Sequence, residues 1–450
     1  MVQTSSPEIR ETDAGPPRSA PSAPSAPSAP SAPSAPEYAS WISQDRSTDA
    51  ASLTMRREAA ELVERVMTHY RDNTTHEADG QWTEPVANYL DADRWQRETD
   101  AVHRSVPLPL AMSCELPGPN TYKAIDVLGI PVLITRDRQG TVHAMINACR
   151  HRGAKLLEPG CGVSKRLTCP YHSWSYDLAG ELRGVYAEKT FGEVPREGRS
   201  LVRLPAGERA GIVFVSLDPG GTSQAVQALG EAEPDLDAWL GDLQPLLEGL
   251  RLAECHHYAT SELTSPNWKV TLDGYLETYH FASLHPKTVF ETNLSNMMAH
   301  DTWGPHQRIA PALRPIAQAV ELPPDQRDPG DCVGPIYWLF PGLAIAGGWR
   351  QKIAVSLVLP RTATESVTQQ IILLRDPAVT EEERQAADRF GAWFHEVVRD
   401  EDYATTYGVQ QGLKALDGTD FVFGRNEPGL QHFHRTIHQH LDTAALRAAR

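Results

Sequence analysis

Cysteine is scarce in this 450-residue chain. The six, at 114, 149, 161, 169, 255 and 332, are spread too thinly for a disulfide framework, so a reducing, cytoplasmic setting is the expectation. Basic residues are in deficit too, 42 Lys and Arg against 58 Asp and Glu, and a formal charge of −16 argues against nucleic acid as a partner. Long apolar runs are missing: the most hydrophobic stretches, such as 341–349, are short, broken by glycine and far below the ~18 residues of a membrane span. The N-terminus carries no hydrophobic signal core, so no export or membrane insertion is expected. No dinucleotide-binding glycine fingerprint occurs, which moves any flavin or nicotinamide chemistry to a partner protein. With 22% charged and 40% hydrophobic residues, a folded chain of two or three domains remains.

Six consecutive Ser-Ala-Pro triplets, Ser19 to Pro36, exclude helix and sheet and read as an extended tether. Leu62, Val63, Val66, Met67 and Tyr70 then recur at helical spacing, predicting an amphipathic helix from Ala51 to Tyr70. Between Tyr122 and Leu217 the period becomes that of strands: Val132–Thr135 and Val142–Ile146 flank a hairpin signal at Asp137–Gly140, and Ile212–Leu217 is a further β-rich run. Pro-, Gly- and acid-rich sequence at 218–250 marks a connection with one short helix, Leu236 to Leu247. Strands are predicted at His257–Leu263, Leu343–Ala346, Ile353–Leu359 and Val367–Leu374, with helices grouped around them, so the fold class is α+β. Thr380 and Glu383 form a capping box opening a helix that reaches to about Leu416.

Two dense clusters carry chemistry. Cys149-Arg-His151 and Cys169-Pro-Tyr-His172 each offer one thiolate and one imidazole, separated by residues 152–168. Zinc would accept such a set, although zinc sites commonly pair like ligands on one arm. One Cys and one His on each arm suits a [2Fe-2S] cluster in which one iron takes both Cys and the other both His. Cys-Arg-His-Arg-Gly with Cys-Pro-Tyr-His-Ser-Trp resembles the Rieske domain of ring-hydroxylating oxygenase large subunits. Respiratory Rieske proteins carry two further loop cysteines, where this chain has Ala154 and Tyr171, so no loop disulfide forms there. Cys161 lacks a neighbouring His and reads as a loop thiol.

The second cluster is Asp273-x₃-Glu277-x₂-His280-x₄-His285. On a continuous helix Asp273, Glu277 and His280 would share a face within about 60°, whereas His280 and His285 would diverge by about 140°. Pro286 ends the helix at or before His285 and frees that ring to swing back. Two imidazoles and one carboxylate make the facial triad of mononuclear non-haem Fe(II) oxygenases. The same family resemblance gives His280 and His285 as iron ligands and places the third on a late helix, in an Asp ahead of Gln-x-Gly. Asp402, ahead of Gln410-Gln-Gly412, matches, with Asp400 one helical position away as the fallback. Glu277, where the family usually has Asp, is implied to bridge the iron-site His to a Rieske His of a neighbouring subunit, His172, with a local role in orienting His280 as the alternative. His432, His434, His438 and His440 have no accompanying acid pattern and read as a packed or exposed terminal helix.

The resemblance covers about residues 100–440. It implies a disordered segment at 1–50, an N-terminal helical segment at 51–105, an all-β Rieske [2Fe-2S] domain at 106–220 and an α+β catalytic domain at 221–450 with an antiparallel sheet around a mononuclear Fe(II). The implied activity is O₂-dependent mono- or dioxygenation of a small organic, aromatic substrate. Electrons would come from NAD(P)H through a partner reductase or ferredoxin, into a homotrimer with or without a small beta subunit. Two alternatives stand: a monooxygenase or demethylase acting on an amine or ether, as in carnitine monooxygenase, and a non-catalytic Rieske electron carrier. Phe290, Met297, Met298, Trp338 and Phe340 are the expected pocket walls.

Overall fold

The computed structural model describes residues 40–218 and 234–448; the Ser-Ala-Pro tether and the middle of the acid-rich connection lie outside the described residues. The first long helix, Ala50–Asp72, begins where the Asp49 carboxylate accepts the Ser52 N–H at 2.8 Å and ends at Asn73 in the left-handed conformation. Its apolar stripe of Met55, Leu62, Val63, Val66 and Met67 is buried. Each of those side chains contributes about 1.5–3 kcal/mol by leaving water. The stripe packs on the helix Gln244–Gly249 and the strand Asn293–Trp303. The segment after it is not purely helical. Trp82–Pro85 forms a two-stranded antiparallel sheet with Asp420–Phe423, tying the N-terminal region to the end of the chain.

The β region is built on a five-stranded antiparallel sheet in the order Arg203–Leu204, Val142–Ile146, Ile130–Arg136, Thr121–Val127, Gly160–Val163. Asp137 makes the hairpin: its carboxylate accepts the N–H groups of Gln139 and Thr141, both at 2.9 Å, while Gly140 supplies the positive φ the turn requires. Cys161 is not on a loop as its sequence context suggested. It sits exposed in the edge strand Gly160–Val163, opposite Lys123. Leu108–Met112 pairs with Ile212–Val215, so the two ends of this region lie side by side.

A seven-stranded antiparallel sheet follows, in the order His256–Ser265, Ser366–Leu374, Lys352–Pro360, Leu343–Ala346, Ile336–Leu339, His306–Leu313, Asn293–Trp303. Along Lys352–Pro360 the residues Ile353, Val355 and Leu357 enter the main core, while Lys352, Ala354 and Ser356 alternate onto a cavity. Across this sheet runs the helix Glu381–Val397, started by the Thr380–Glu383 capping box. It passes through a π-helical turn, Val398–Tyr403, into the helix Ala404–Leu413. The C-terminal helix Pro428–Ala448 covers a second core around Trp268, Trp338 and Phe433.

The continuous helix expected through Asp273, Glu277 and His280 does not form. Asn267 caps a helix over Trp268–Asp273 only, which ends at Gly274. Residues 275–280 are pulled out of helical geometry by the neighbouring strand: the Asn296 N–H reaches the Thr278 carbonyl at 3.0 Å, and Ser295 Oγ donates to the carbonyls of Thr278 and Tyr279. A short helix, Phe281–Leu284, then ends at His285 ahead of Pro286.

Candidate functional site

The two Cys-His arms form matched loops at one tip of the β region. In the first, Cys149 N–H bonds the Ala154 carbonyl and Gly153 N–H bonds the Cys149 carbonyl, both at 2.9 Å; in the second, Cys169 pairs in the same way with Trp174 and Ser173, at 2.8 and 3.0 Å. The fifth residue of each loop is left-handed. Gly153 takes φ 76° without strain, whereas Ser173 holds φ 55° at a cost of about 1 kcal/mol or more. Cys149 and Cys169 are buried, and the rings of His151 and His172 face each other edge-on at 4.6 Å. His151 stacks on Trp174, and Tyr171 tilts against His172. The Nδ1 atoms of both histidines are buried with no hydrogen-bond partner, so their lone pairs are available to hold a metal. This donor set fits a Rieske [2Fe-2S] cluster. Tyr176 Oη lies 3.3 Å from Cys149 Sγ and accepts the Arg150 N–H at 3.0 Å, leaving its own proton for the sulfur.

In the second site, one ligand atom each from His280, His285 and Asp402 fall within 4.8 Å of one another. Asp402 Oδ1 lies 2.9 Å from His285 Nε2 and 3.7 Å from His280 Nε2. The opposite ring nitrogens are both engaged by carboxylates. His280 Nδ1 bonds Glu277, and His285 Nδ1 bonds Glu401 Oε2 at 2.5 Å, with Thr288 Oγ1 donating to the same oxygen at 2.7 Å. A carboxylate on Nδ1 fixes the Nδ1–H tautomer and leaves Nε2 as a lone pair directed at the centre, so the three groups fit a divalent iron. Burial pulls the His285 pKa down, but the hydrogen bonds to Asp402 and Glu401 outweigh it and the net direction is up.

The π turn sorts three consecutive acids. Asp400 points outward and pairs with Arg399 at 2.7 Å, Glu401 reaches His285 Nδ1, and Asp402 faces the two Nε2 atoms. Glu401 escaped sequence reading because its partner lies 116 residues away and no spacing signals the pairing. Asp273 is not at this centre. Its carboxylate accepts from Tyr89 Oη at 2.7 Å and His434 Nε2 at 2.8 Å, because the helix break at Gly274 turns the chain away after it. His434 is fully enclosed between Asp273 and Glu84, with His438 3.1 Å from Glu84, so these two of the four C-terminal histidines do have acidic partners, supplied from remote segments. Burial lowers the His434 pKa, yet the two carboxylates carry it up to about 9.

A cavity of about 460 Å³ opens from the triad. None of the five expected wall residues lines it. Met298, Trp338 and Phe340 are at most 1% exposed and belong to the cores, whereas the cavity exists where the sheet carries small side chains, Ala344, Ala346, Gly347 and Ala354. Its other walls are Tyr275, Trp349, Phe390, Trp393 and Phe394, and its charged groups include Glu291, Asp331, Arg350 and Lys352.

Residues 106–196 match the model of the Rieske [2Fe-2S] domain, and residues 252–443 match that of the ring hydroxylating alpha subunit (catalytic domain). The carnitine monooxygenase oxygenase subunit of Escherichia coli (strain K12) is 27% identical over 370 residues, 80% of this chain and 93% of that one. The anthranilate 1,2-dioxygenase large subunit of Acinetobacter baylyi is 30% identical over 200 residues, 44% of this chain and 41% of its own. Among solved structures, a quaternary ammonium Rieske monooxygenase with L-carnitine aligns with a TM-score of 0.66 at 22% identity, covering 85% of this chain and 98% of that one. Naphthalene 1,2-dioxygenase from Rhodococcus sp. bound to indole aligns at 0.61 and 18% identity, with the same coverages.

This chain therefore belongs to the Rieske non-haem iron oxygenases, as an alpha (large) subunit. It is an O₂-dependent oxidoreductase that combines a Rieske [2Fe-2S] cluster with a mononuclear iron, in a family whose oxygenase components work with a reductase or ferredoxin. Among the described residues, no helix is long and apolar enough to cross a membrane.

Proposed function

We propose that the chain is the oxygenase subunit of a Rieske monooxygenase acting on a small cationic or zwitterionic amine. Cys149, Cys169, His151 and His172 hold the cluster; His280, His285 and Asp402 hold the iron. When bound, the cluster would pass on electrons from a partner reductase or ferredoxin and the iron would activate O₂. Glu277 and Glu401 keep the two ligand rings in one tautomer and one orientation. Asp273 acts only by anchoring the start of the segment that carries them.

The cavity carries the substrate reading. Phe390, Trp393 and Phe394 line the cavity with aromatic rings, the kind of surface that binds a quaternary or protonated nitrogen. Lys352 Nζ lies 5.8 Å from the centroid of the Phe390 ring and holds that ring, which leaves Trp393 and Phe394 as the aromatic walls for the substrate nitrogen. Arg350 and Lys352 give an acidic group on the same substrate a counter-charge. Bound iron would supply hydroxylation of a carbon next to the nitrogen, one oxygen of O₂ entering the C–H bond and the other leaving as water with two electrons and two protons; the hydroxyl then loses its proton, the carbon becomes an aldehyde and the amine leaves with the bonding pair. The carnitine monooxygenase relatives support this choice. A second reading, dihydroxylation of an aromatic carboxylate, is favoured by the anthranilate 1,2-dioxygenase relative and uses the same walls.

The active unit is proposed as a ring of subunits, most simply a trimer in which one cluster serves the next iron, in the reducing cytoplasm. In support, Tyr171 (58% exposed) and Phe191 (51%) surround the cluster histidines, and Tyr279 (60%) lies beside Glu277. The test is product analysis of the cluster- and iron-loaded protein with a reductase, NAD(P)H and O₂. L-carnitine, glycine betaine and anthranilate are the substrates. A tertiary amine with a matching aldehyde is expected from L-carnitine or glycine betaine; catechol with ammonia and CO₂ from anthranilate, and no turnover of the two quaternary amines, would overturn the amine reading.

A further inference from the structure

A chain of five hydroxyls starts at the cavity wall and runs back into the paired strands His256–Ser265 and Ser366–Leu374. Tyr275 Oη lies 3.1 Å from Tyr403 Oη, which lies 2.5 Å from Thr368 Oγ1; Thr368 is 3.2 Å from Ser265 Oγ, and Ser265 is 2.8 Å from Ser366 Oγ. The far end is fixed, because Ser366 donates to the Pro266 carbonyl at 2.6 Å and a carbonyl can only accept. Each hydroxyl has one proton. With that of Ser366 committed to Pro266, Ser265 must donate to Ser366, Thr368 to Ser265, Tyr403 to Thr368 and Tyr275 to Tyr403. Ser265, Ser366 and Thr368 are 0% exposed and Tyr403 2%, which excludes bulk solvent as an alternative partner that could reverse the order. Ser356 Oγ, at 3.5 Å, is the weaker neighbour of Tyr275.

A phenol on a binding-site wall ordinarily offers its proton to the ligand. Here the proton is turned inward, so the Tyr275 oxygen meets the cavity with lone pairs alone. The geometry points to Tyr275 as the residue that reads the charge of the bound group beside the triad: its oxygen accepts, and it selects the positively polarised end of the ligand. Methyl hydrogens on a quaternary nitrogen share the positive charge and make favourable C–H···O contacts, whereas a carboxylate or carbonyl placed there would set lone pair against lone pair. Tyr275, His280 and Asp402 line the same cavity, so a cationic nitrogen held at this oxygen brings its neighbouring carbons to the iron-binding groups. The inference rests on the amine reading above and adds which residue recognises the cation and in which sense.

The test compares glycine betaine with its uncharged-carbon isostere, 3,3-dimethylbutanoate, by calorimetric binding to the cluster- and iron-loaded protein. Both carry the same carboxylate, so their Kd ratio isolates the cation. Wild type is expected to favour the betaine, and Tyr275→Phe to shrink that preference by about 3- to 10-fold, the worth of one such contact. Thr368→Val keeps volume and strand preference but removes the acceptor of Tyr403; the Tyr403 proton then turns to Tyr275, whose own proton is released to the cavity. That variant should lose at least as much preference as Tyr275→Phe although Tyr275 is intact, with cluster absorbance and melting temperature reporting the fold. An unchanged ratio in Tyr275→Phe overturns the role of this oxygen, and an unchanged ratio in Thr368→Val overturns the proton ordering. A wild type with no preference for the betaine overturns the amine reading itself.

Discussion

Glu401 gives the sharpest test of how the iron site is held. Its Oε2 accepts from His285 Nδ1 at 2.5 Å and from Thr288 Oγ1 at 2.7 Å, in a site where His285 is 2% exposed. Glu401→Gln keeps the shape and an accepting oxygen but removes the charge. A hydrogen bond to an ionised group contributes about 1.5–3 kcal/mol and a neutral one about 0.5–1.5, so roughly 1–2 kcal/mol is lost. Expressed on the bound metal, that is about a 5- to 30-fold weaker iron affinity, in the range seen when an outer partner of a metal ligand is removed. Asp400→Asn is the control, because that carboxylate points away and pairs with Arg399. Competition with a ferrous chelator measures the mononuclear iron while the visible absorbance of the cluster reports the other site. Glu401→Gln holding iron as tightly as wild type, or Asp400→Asn losing it equally, would refute the reasoning.

Asp402→Ala should strip the mononuclear iron and leave the cluster, from a wild type carrying about three irons and two sulfides per chain; stoichiometric zinc without a visible chromophore would defeat the cluster assignment. Tyr176→Phe removes the hydroxyl 3.3 Å from Cys149 Sγ and should lower the cluster potential by about 40 mV, for a difference of about 1 kcal/mol between oxidation states. Voltammetry checks it, and an unchanged or higher potential counts against the O–H···S bond. His434 stabilises the fold as a cation: with its pKa raised from 6.5 to about 9, its contribution is complete below pH 6.5 and is lost as the pH rises through about 9. The melting temperature of wild type should fall over that window more than that of His434→Gln; parallel profiles would contradict the buried ion pair.

Local pattern was legible and remote pairing was not. The two Cys-His arms are complete within a few residues each, so their spacing alone reports the donor set. His280 and His285 are equally local, and Pro286 marks where the helix before it must end. Asp273 misled because spacing on an assumed helix cannot anticipate Ser295 and Asn296, which pull residues 275–280 out of helical geometry from a strand the sequence places later. The walls of the cavity misled for a different reason. Large apolar residues are natural guesses for a binding surface, but large residues fill space, and here the space was left by alanines and a glycine on the sheet. The partners of His434 come from residues 84 and 273, and only the fold brings them together.

The π turn at Val398–Tyr403 sets helix regularity and chemistry against each other. It holds one residue more than an α-helix would, between two stretches, Glu381–Val397 and Ala404–Leu413, that would otherwise run on as one rod. Deleting a single residue there would restore the better hydrogen-bond ladder while rotating Glu401 and Asp402 off His285. The deletion would also turn the helix Ala404–Leu413, where Gln410 Oε1 accepts the Asn267 N–H at 2.5 Å and Leu413 is buried, so the extra residue sets the seating of the later helix as well as the aim of the two acids.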